Sequence, residues 1–282
     1  MNPILQRLTL AHLSIGAPPA DTIDAAADAG FGAVGIRICA RRPGEAFATP
    51  IVGVAGQAAA LRRRASDRGL RLSNVSAYQF YPEVEVAQML PVIDALAELQ
   101  APIVVANGFD PDLPRFTERF ARYCEAAAAI GVRVALEFLP YSAVRNLDAA
   151  LAVVRASGAA NAGLLLDALH LQRSGSQPAA MRALPPERLV FAQLCDAPAH
   201  PAASDDDSLL NEARHARLPP GMGGLPLHDF LDALPAGCEI EYEVARADMR
   251  ERSPRDKALA AAEDARRFMR AHEARSESTK KG

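Results

Sequence analysis

The chain has 282 residues, half of them hydrophobic, with 31 basic against 34 acidic side chains and a net charge of −3. That length can bury one large α/β core or two smaller ones, and the charge balance argues against a nucleic-acid surface, which carries a basic excess. Four scattered cysteines without a C-x-x-C pair, no basic-then-apolar leader and no run near ~18 apolar residues argue against a disulfide framework, a zinc ribbon and a membrane span, and point to a cytoplasmic protein with reduced thiols.

Short runs rich in Val, Ile and Leu alternate along the chain with Ala-rich helical segments. "LTLAH" (8–12) precedes the helical "ADTIDAAADAG", and "GAVGIRI" (32–38) precedes "VAGQAAALRRRASDRG". "LRLSNVSAY" (70–78) precedes "EVAQMLPVIDALAELQ", and "PIVVANG" (102–108) precedes "LPRFTERFARYCEAAAAIG". "VRVALEF" (132–138) precedes "LDAALAVVRASG", and "GLLLDAL" (163–169) precedes "QPAAMRALP". "LVFAQLC" (189–195) is followed by a long loop and "PLHDFLDALPAG", and "CEIEYEV" (238–244) by "SPRDKALAAAEDARRFMRAHEA". Eight strand–helix units in this length predict a single (β/α)8 TIM barrel over 1–272, with 273–282 as a frayed tail. Gly30, Gly69, Gly131 and Gly158 sit just past helices, where a left-handed C-cap is needed. A doubly wound sheet would want a Gly-rich turn after its first strand, and "AHLSIGAPPAD" holds one glycine.

In a parallel barrel the chemistry gathers where strands end. Glu137, Asp167, Gln193 and Glu243 end, or nearly end, four consecutive predicted strands, at intervals of 30, 26 and 50 residues. Three carboxylates brought together repel one another, so a divalent cation is a natural reason for them to coexist, and an oxygen-dominated set suits Mg²⁺ or Mn²⁺. If Leu8 and Leu10 of "LTL" face inward, so does His12; Arg37 and Asn107 end their strands inward by the same parity. Glu239 and Glu241 share the face of Glu243, and Arg133, low on the face of Glu137, is expected to neutralise Glu241.

"VALEFLP", "LLLDALHL", "VFAQLCDAP", "RLPPGMGGLPL" and "IEYEV" resemble, in order and spacing, the xylose isomerase-like TIM barrels, a superfamily that includes hydroxypyruvate isomerase, tagatose epimerase and the endonuclease IV branch. The resemblance implies a metal held by Glu137, Asp167, Gln193 and Glu243. It implies substrate contacts from His170, in Asp-x-x-His, and from Arg217, in a partial match to the family's arginine–glycine loop. His215 is a further basic candidate on that loop, and His12, Arg37 and Asn107 are candidates to line the substrate site. The implied cofactor is one divalent ion, Mn²⁺ or Mg²⁺ ahead of Co, Zn or Fe.

The implied reaction is isomerisation or epimerisation of a small sugar or hydroxy-carbonyl substrate. Glu137 and Glu243 would exchange a proton with a metal-stabilised enediolate. A 3-dehydroshikimate dehydratase-like lyase is the alternative on the same scaffold, distinguished by loss of water. An endonuclease IV-like hydrolase would want more histidines and a basic face, and a non-catalytic binding barrel is the remaining reading. The expected partner is a small molecule, with no nucleic acid and no membrane. Oligomeric state stays open, although barrels of this family often pair as homodimers.

Overall fold

Each of the eight apolar runs forms a strand: β1 (Leu8–Leu10), β2 (Ala33–Arg37), β3 (Arg71–Ser76), β4 (Ile103–Asn107), β5 (Arg133–Glu137), β6 (Ala162–Asp167), β7 (Leu189–Leu194) and β8 (Glu239–Tyr242). They pair in chain order, all parallel, and β8 closes on β1. The computed structural model describes residues 2–281, with side chains through residue 278. Helices α1 (His12–Ile15), α2 (Pro19–Ala29), α3 (Gln57–Asp67), α4 (Val86–Leu99), α5 (Leu113–Ala128), α6 (Leu147–Ala156), α7 (Ala168–Arg173), α8 (Pro178–Met181), α9 (Asp206–His215), α10 (Leu227–Ala233) and α11 (Pro254–Lys281) connect and surround the barrel. Among the described residues, no helix is long and apolar enough to cross a membrane.

The main core lies between strands and helices, where parallel strands covered on one face by helices bury their Val, Ile and Leu side chains. A smaller cluster, Ile103, Val105, Ala135, Leu165, Val190 and Phe191, fills the barrel interior on the β4–β7 side. The opposite side of the interior is polar. Thr9 Oγ1 donates to Glu239 Oε1 (2.5 Å), and Asn74 Nδ2 donates to Glu241 Oε1 (2.8 Å). Gly35 faces these groups, and a Cβ there would stand 2.3 Å from Glu241 Oε1. Only glycine leaves that carboxylate its room.

Three features differ from the sequence reading. Thr9, not Leu8 or Leu10, faces the axis, because it pairs in register with Ala33 and Glu241; both leucines join the outer core. The "LTL" alternation misleads because the outer face is the more apolar one on this polar side of the barrel. Arg133 does not meet Glu241: its Nη2 donates to Glu187 O (2.6 Å), while Asn74 and Gln193 serve Glu241. The long segment after β7 contains α9, capped by Asp205, whose side chain accepts from Ser208 N, with Asp206 and Asp207 in its first turn. At the C-terminus α11 extends to Lys281, and Glu273 pairs with Arg7 (2.6 Å); residue 282, the end of the expected tail 273–282, lies outside the described residues.

Candidate active site at the barrel mouth

Strand register brings the polar strand ends together. Asn107 pairs with Glu137, Asp167 with Gln193 and Gln193 with Glu241, so these side chains rise around one axis. A cavity opens there, lined among others by His12, Arg37, Asn107, Glu137, His170, Gln193, Arg217 and Glu243. His12 reaches it although the parity that predicted it fails, because the chain leaves β1 at Ala11 and places His12 at the start of α1. Asp167 is buried at the base of the site. His215 is exposed in the last turn of α9 and does not line the cavity.

Asp167 ends β6 and caps α7, its Oδ1 accepting from His170 N (2.9 Å). That cap fixes the Asp-x-x-His geometry and swings the imidazole toward Glu137, with His170 Nε2 3.8 Å from Glu137 Oε1. Glu137, Asp167 and His170 each offer a ligand atom, all within 4.8 Å of one another. Arg217 joins Asp167 to Glu243: Nη1 lies 2.5 Å from Asp167 Oδ2 and Nη2 3.1 Å from Glu243 Oε2. Its Nε donates to Ala213 O (2.8 Å).

Gln193 shows how the amide is oriented. Its Nε2 donates to Glu241 Oε2 (2.7 Å) and to Glu243 Oε1 (3.0 Å). Its Oε1 is buried without a partner. Two carboxylates thus hold the nitrogen and leave the oxygen free, which is the requirement for a neutral oxygen ligand. Glu241 was legible as an inward residue, but its service to Gln193 becomes visible only once β7 and β8 are paired.

Burial sets the electrostatics. Desolvation raises the Glu137 carboxyl to about 8, with Glu243 and Asp167 adding repulsion. Desolvation likewise raises Glu243 to about 7 against the pull of Arg217, and Glu241 to about 8. Burial also pushes Asp167 upward, but Arg217 and His170 outweigh it and hold that carboxyl below its ordinary value. The His170 imidazole falls to about 4, mainly by burial. Crowded carboxylates, one orphaned amide oxygen and a neutral imidazole fit a divalent cation, for which Glu137, Asp167 and His170 offer ligand atoms and Gln193 a free oxygen nearby.

Several residues of the mouth were missed in the sequence. Arg41, Gln79 and Arg214 line the cavity but sit on loops or on α9, away from strand ends. Asp196, directly after Cys195, is 1% exposed and accepts from the backbone N–H groups of Ala197 (2.8 Å), Gly221 (2.9 Å), Gly223 (2.9 Å) and Leu225 (3.0 Å). It shapes the "RLPPGMGG" loop that carries Arg217. A Cβ at Gly223 would lie 2.2 Å from Ala197 O.

A curated protein of Pseudomonas aeruginosa, described as 3-dehydroshikimate dehydratase, is 35% identical over 139 residues, 49% of this chain and 19% of the relative. The match thus spans about a fifth of that longer protein. A solved xylose isomerase-like TIM barrel/4-hydroxyphenylpyruvate dioxygenase fusion protein superposes with a TM-score of 0.75 at 21% identity, over 92% of this chain and 42% of that one. The IolI protein with a bound zinc atom superposes at 0.74 and 16% identity, over 94% of this chain and 97% of that one. Structures of L-ribulose 3-epimerase and D-psicose 3-epimerase share the fold at 0.69. The family described as the xylose isomerase-like TIM barrel matches residues 23–272, and with the closed eight-stranded barrel this places the chain in that family.

Proposed function

We propose that the chain is a divalent-metal-dependent lyase that removes water from a cyclic β-hydroxy ketone of the 3-dehydroshikimate type. The observation that carries the chemistry is the meeting of Glu137 and Glu243 in one cavity, beside Asp167 and the free oxygen of Gln193. The 35% identity to a dehydratase over 139 residues favours dehydration over the sugar epimerases, whose similarity is one of fold. When bound, a divalent cation supplies an electrophile that draws charge from the substrate carbonyl and so acidifies the adjacent C–H.

The chain's own residues move the protons. Glu243 has both oxygens engaged, by Gln193 and Arg217. Glu137 accepts from Asn107 Nδ2 through Oε2 (2.7 Å), and its Oε1 faces His170 and the cavity. Glu137 is therefore the better-placed base for the proton next to the ketone. The electron pair of the broken C–H bond forms the enolate. Its return expels the β-hydroxyl, which leaves as water after taking one proton from the site, and the resulting enone enolises to an aromatic ring.

The test is turnover of 3-dehydroshikimate with Mg²⁺ or Mn²⁺, followed by product mass and by the ultraviolet absorbance of an aromatic ring. Product lighter by one water is expected, with Glu137→Gln lowering kcat by about 10²–10⁴-fold while the fold is retained. Undiminished turnover by Glu137→Gln would overturn the assignment of the base. Product of unchanged mass would move the reading to isomerisation or epimerisation, which the same pair of glutamates supports by returning the proton to carbon.

A further inference from the structure

The mouth cavity is lined by four arginines, Arg37, Arg41, Arg214 and Arg217. Arg217 is neutralised by Asp167 and Glu243. The other three form no ion pair with a described residue, although the charge of Glu243 acts on Arg37. Arg37 donates from Nε to His12 Nε2 (3.3 Å) and from Nη1 to the carbonyls of Ala77 (3.1 Å) and Cys39 (3.5 Å), all neutral acceptors. The side chains of Arg41 and Arg214 make no hydrogen bond or ion pair with any described residue. Glu45, the acid that acts on Arg41, is already engaged by Arg42.

Three guanidinium groups crowded around one cavity repel one another, and the cost registers on the groups themselves. Burial and then Arg41 push Arg37 down to about 10, and burial and then Arg214 lower Arg41. Elsewhere on the chain, arginines with a carboxylate in reach use it: Arg64 pairs with Asp24, Arg145 with Asp206 and Arg173 with Glu212. Arg214 is held at the cavity because α9 is tied down ahead of it, by Arg145–Asp206 (2.6 Å) and Arg173–Glu212 (2.8 Å).

We propose that Arg37, Arg41 and Arg214 form an oxyanion subsite that takes a carboxylate of the substrate, so that the chain acts on hydroxy-keto acids and not on neutral sugars. The planar fork of a guanidinium matches a carboxylate in two parallel hydrogen bonds, and three such forks fix one end of a substrate whose other end reaches Glu137. The proposal deepens the dehydratase reading and rests on it for the reaction at that other end.

The experiment is calorimetric titration of the metal-loaded protein with shikimate, which carries the carboxylate but no ketone, and with its methyl ester and inorganic phosphate. Arg41→Gln and Arg214→Gln are each expected to weaken shikimate binding roughly tenfold, and the neutral ester is expected to bind the wild type no better than the acid binds the variants. With 3-dehydroshikimate, KM should rise by a similar factor while kcat stays within about threefold, as for a group that binds substrate and transition state alike. Shikimate binding unchanged in both variants, or an ester that binds as well as the acid, would overturn the subsite. Phosphate binding tighter than shikimate would overturn its assignment to a carboxylate. If shikimate binding falls in the variants but no water is lost from 3-dehydroshikimate, the subsite stands and the dehydratase reading falls.

Discussion

Gly35 and Glu241 show how closely single residues are fitted inside this barrel. A methyl group at position 35 would meet Glu241 Oε1 at 2.3 Å and Asn74 Nδ2 at 2.9 Å, the acceptor and donor of the hydrogen bond that steadies the carboxylate beneath Gln193. Gly35→Ala is expected to destabilise the protein by about 1–3 kcal/mol, read from the midpoint of urea unfolding, and to weaken Mn²⁺ binding in calorimetry because Gln193 loses one of its two holds. That Glu137, Asp167, Gln193 and Glu243 gather at one end of the barrel was legible in the sequence, because each is a polar residue at or near the end of an apolar run. Arg41 and Arg214 were not, since an arginine in a loop looks the same whether it faces solvent or a cavity. Leu8 and Leu10 were misplaced because a parallel strand can be apolar outward, and alternation does not say which face is which.

Among the elements, the turns after β4 and β7 set much of the mouth. Asp110 follows β4 and is 1% exposed; it accepts from Arg115 Nε (2.7 Å) and Nη2 (2.5 Å), tying the strand end to α5. The hydrogen bonds from Arg115 hold its carboxyl below the ordinary value. A depressed carboxylate contributes stability that is present above the unfolded-state value, near pH 4, and is lost as pH falls through the folded-state value. Thermal melts of wild type and Asp110→Asn should therefore differ clearly at pH 7, and the difference should shrink as pH falls below about 4. After β7, Asp196 satisfies four backbone donors. Asp196→Ala is expected to cost about 2–4 kcal/mol of stability and to raise KM by releasing the loop that carries Arg217; circular dichroism melts and steady-state kinetics read the two effects. The helix α9 was hidden in a stretch read as loop, although its Asp205–Asp207 start is a recognisable cap in front of "SLLNEARH". Its length of 10 residues and the proline- and alanine-rich lead-in kept the helical period from standing out.

At the scale of the whole molecule, the repeat of strand and helix eight times specified the barrel, and each of the eight predicted strand runs overlaps an observed strand. The interior divides into an apolar side, from β4 to β7, and a polar side running from β8 through β1 and β2 to β3, and the candidate site stands above both. That division was not legible, because it depends on which residues meet across the barrel and not on any local pattern. A divalent ion bound by the folded chain alone should add stability in proportion to the logarithm of its concentration over Kd, about 2.7 kcal/mol at a hundredfold excess. Melts with graded Mn²⁺ or Mg²⁺ after chelator treatment measure it, and an unchanged midpoint would count against a resident ion.

The place of Arg217 decides what such melts look like before any ion is added. Its guanidinium already joins Asp167 and Glu243, two of the groups that would otherwise repel each other at the heart of the site. The chelated protein is accordingly expected to unfold in one cooperative transition, at lower temperature but from an ordered state. Loading then resembles an exchange between two cations at a finished site more than the closing of an unfinished one. A shortage of the ion would limit how much of the protein works without limiting how much of it folds.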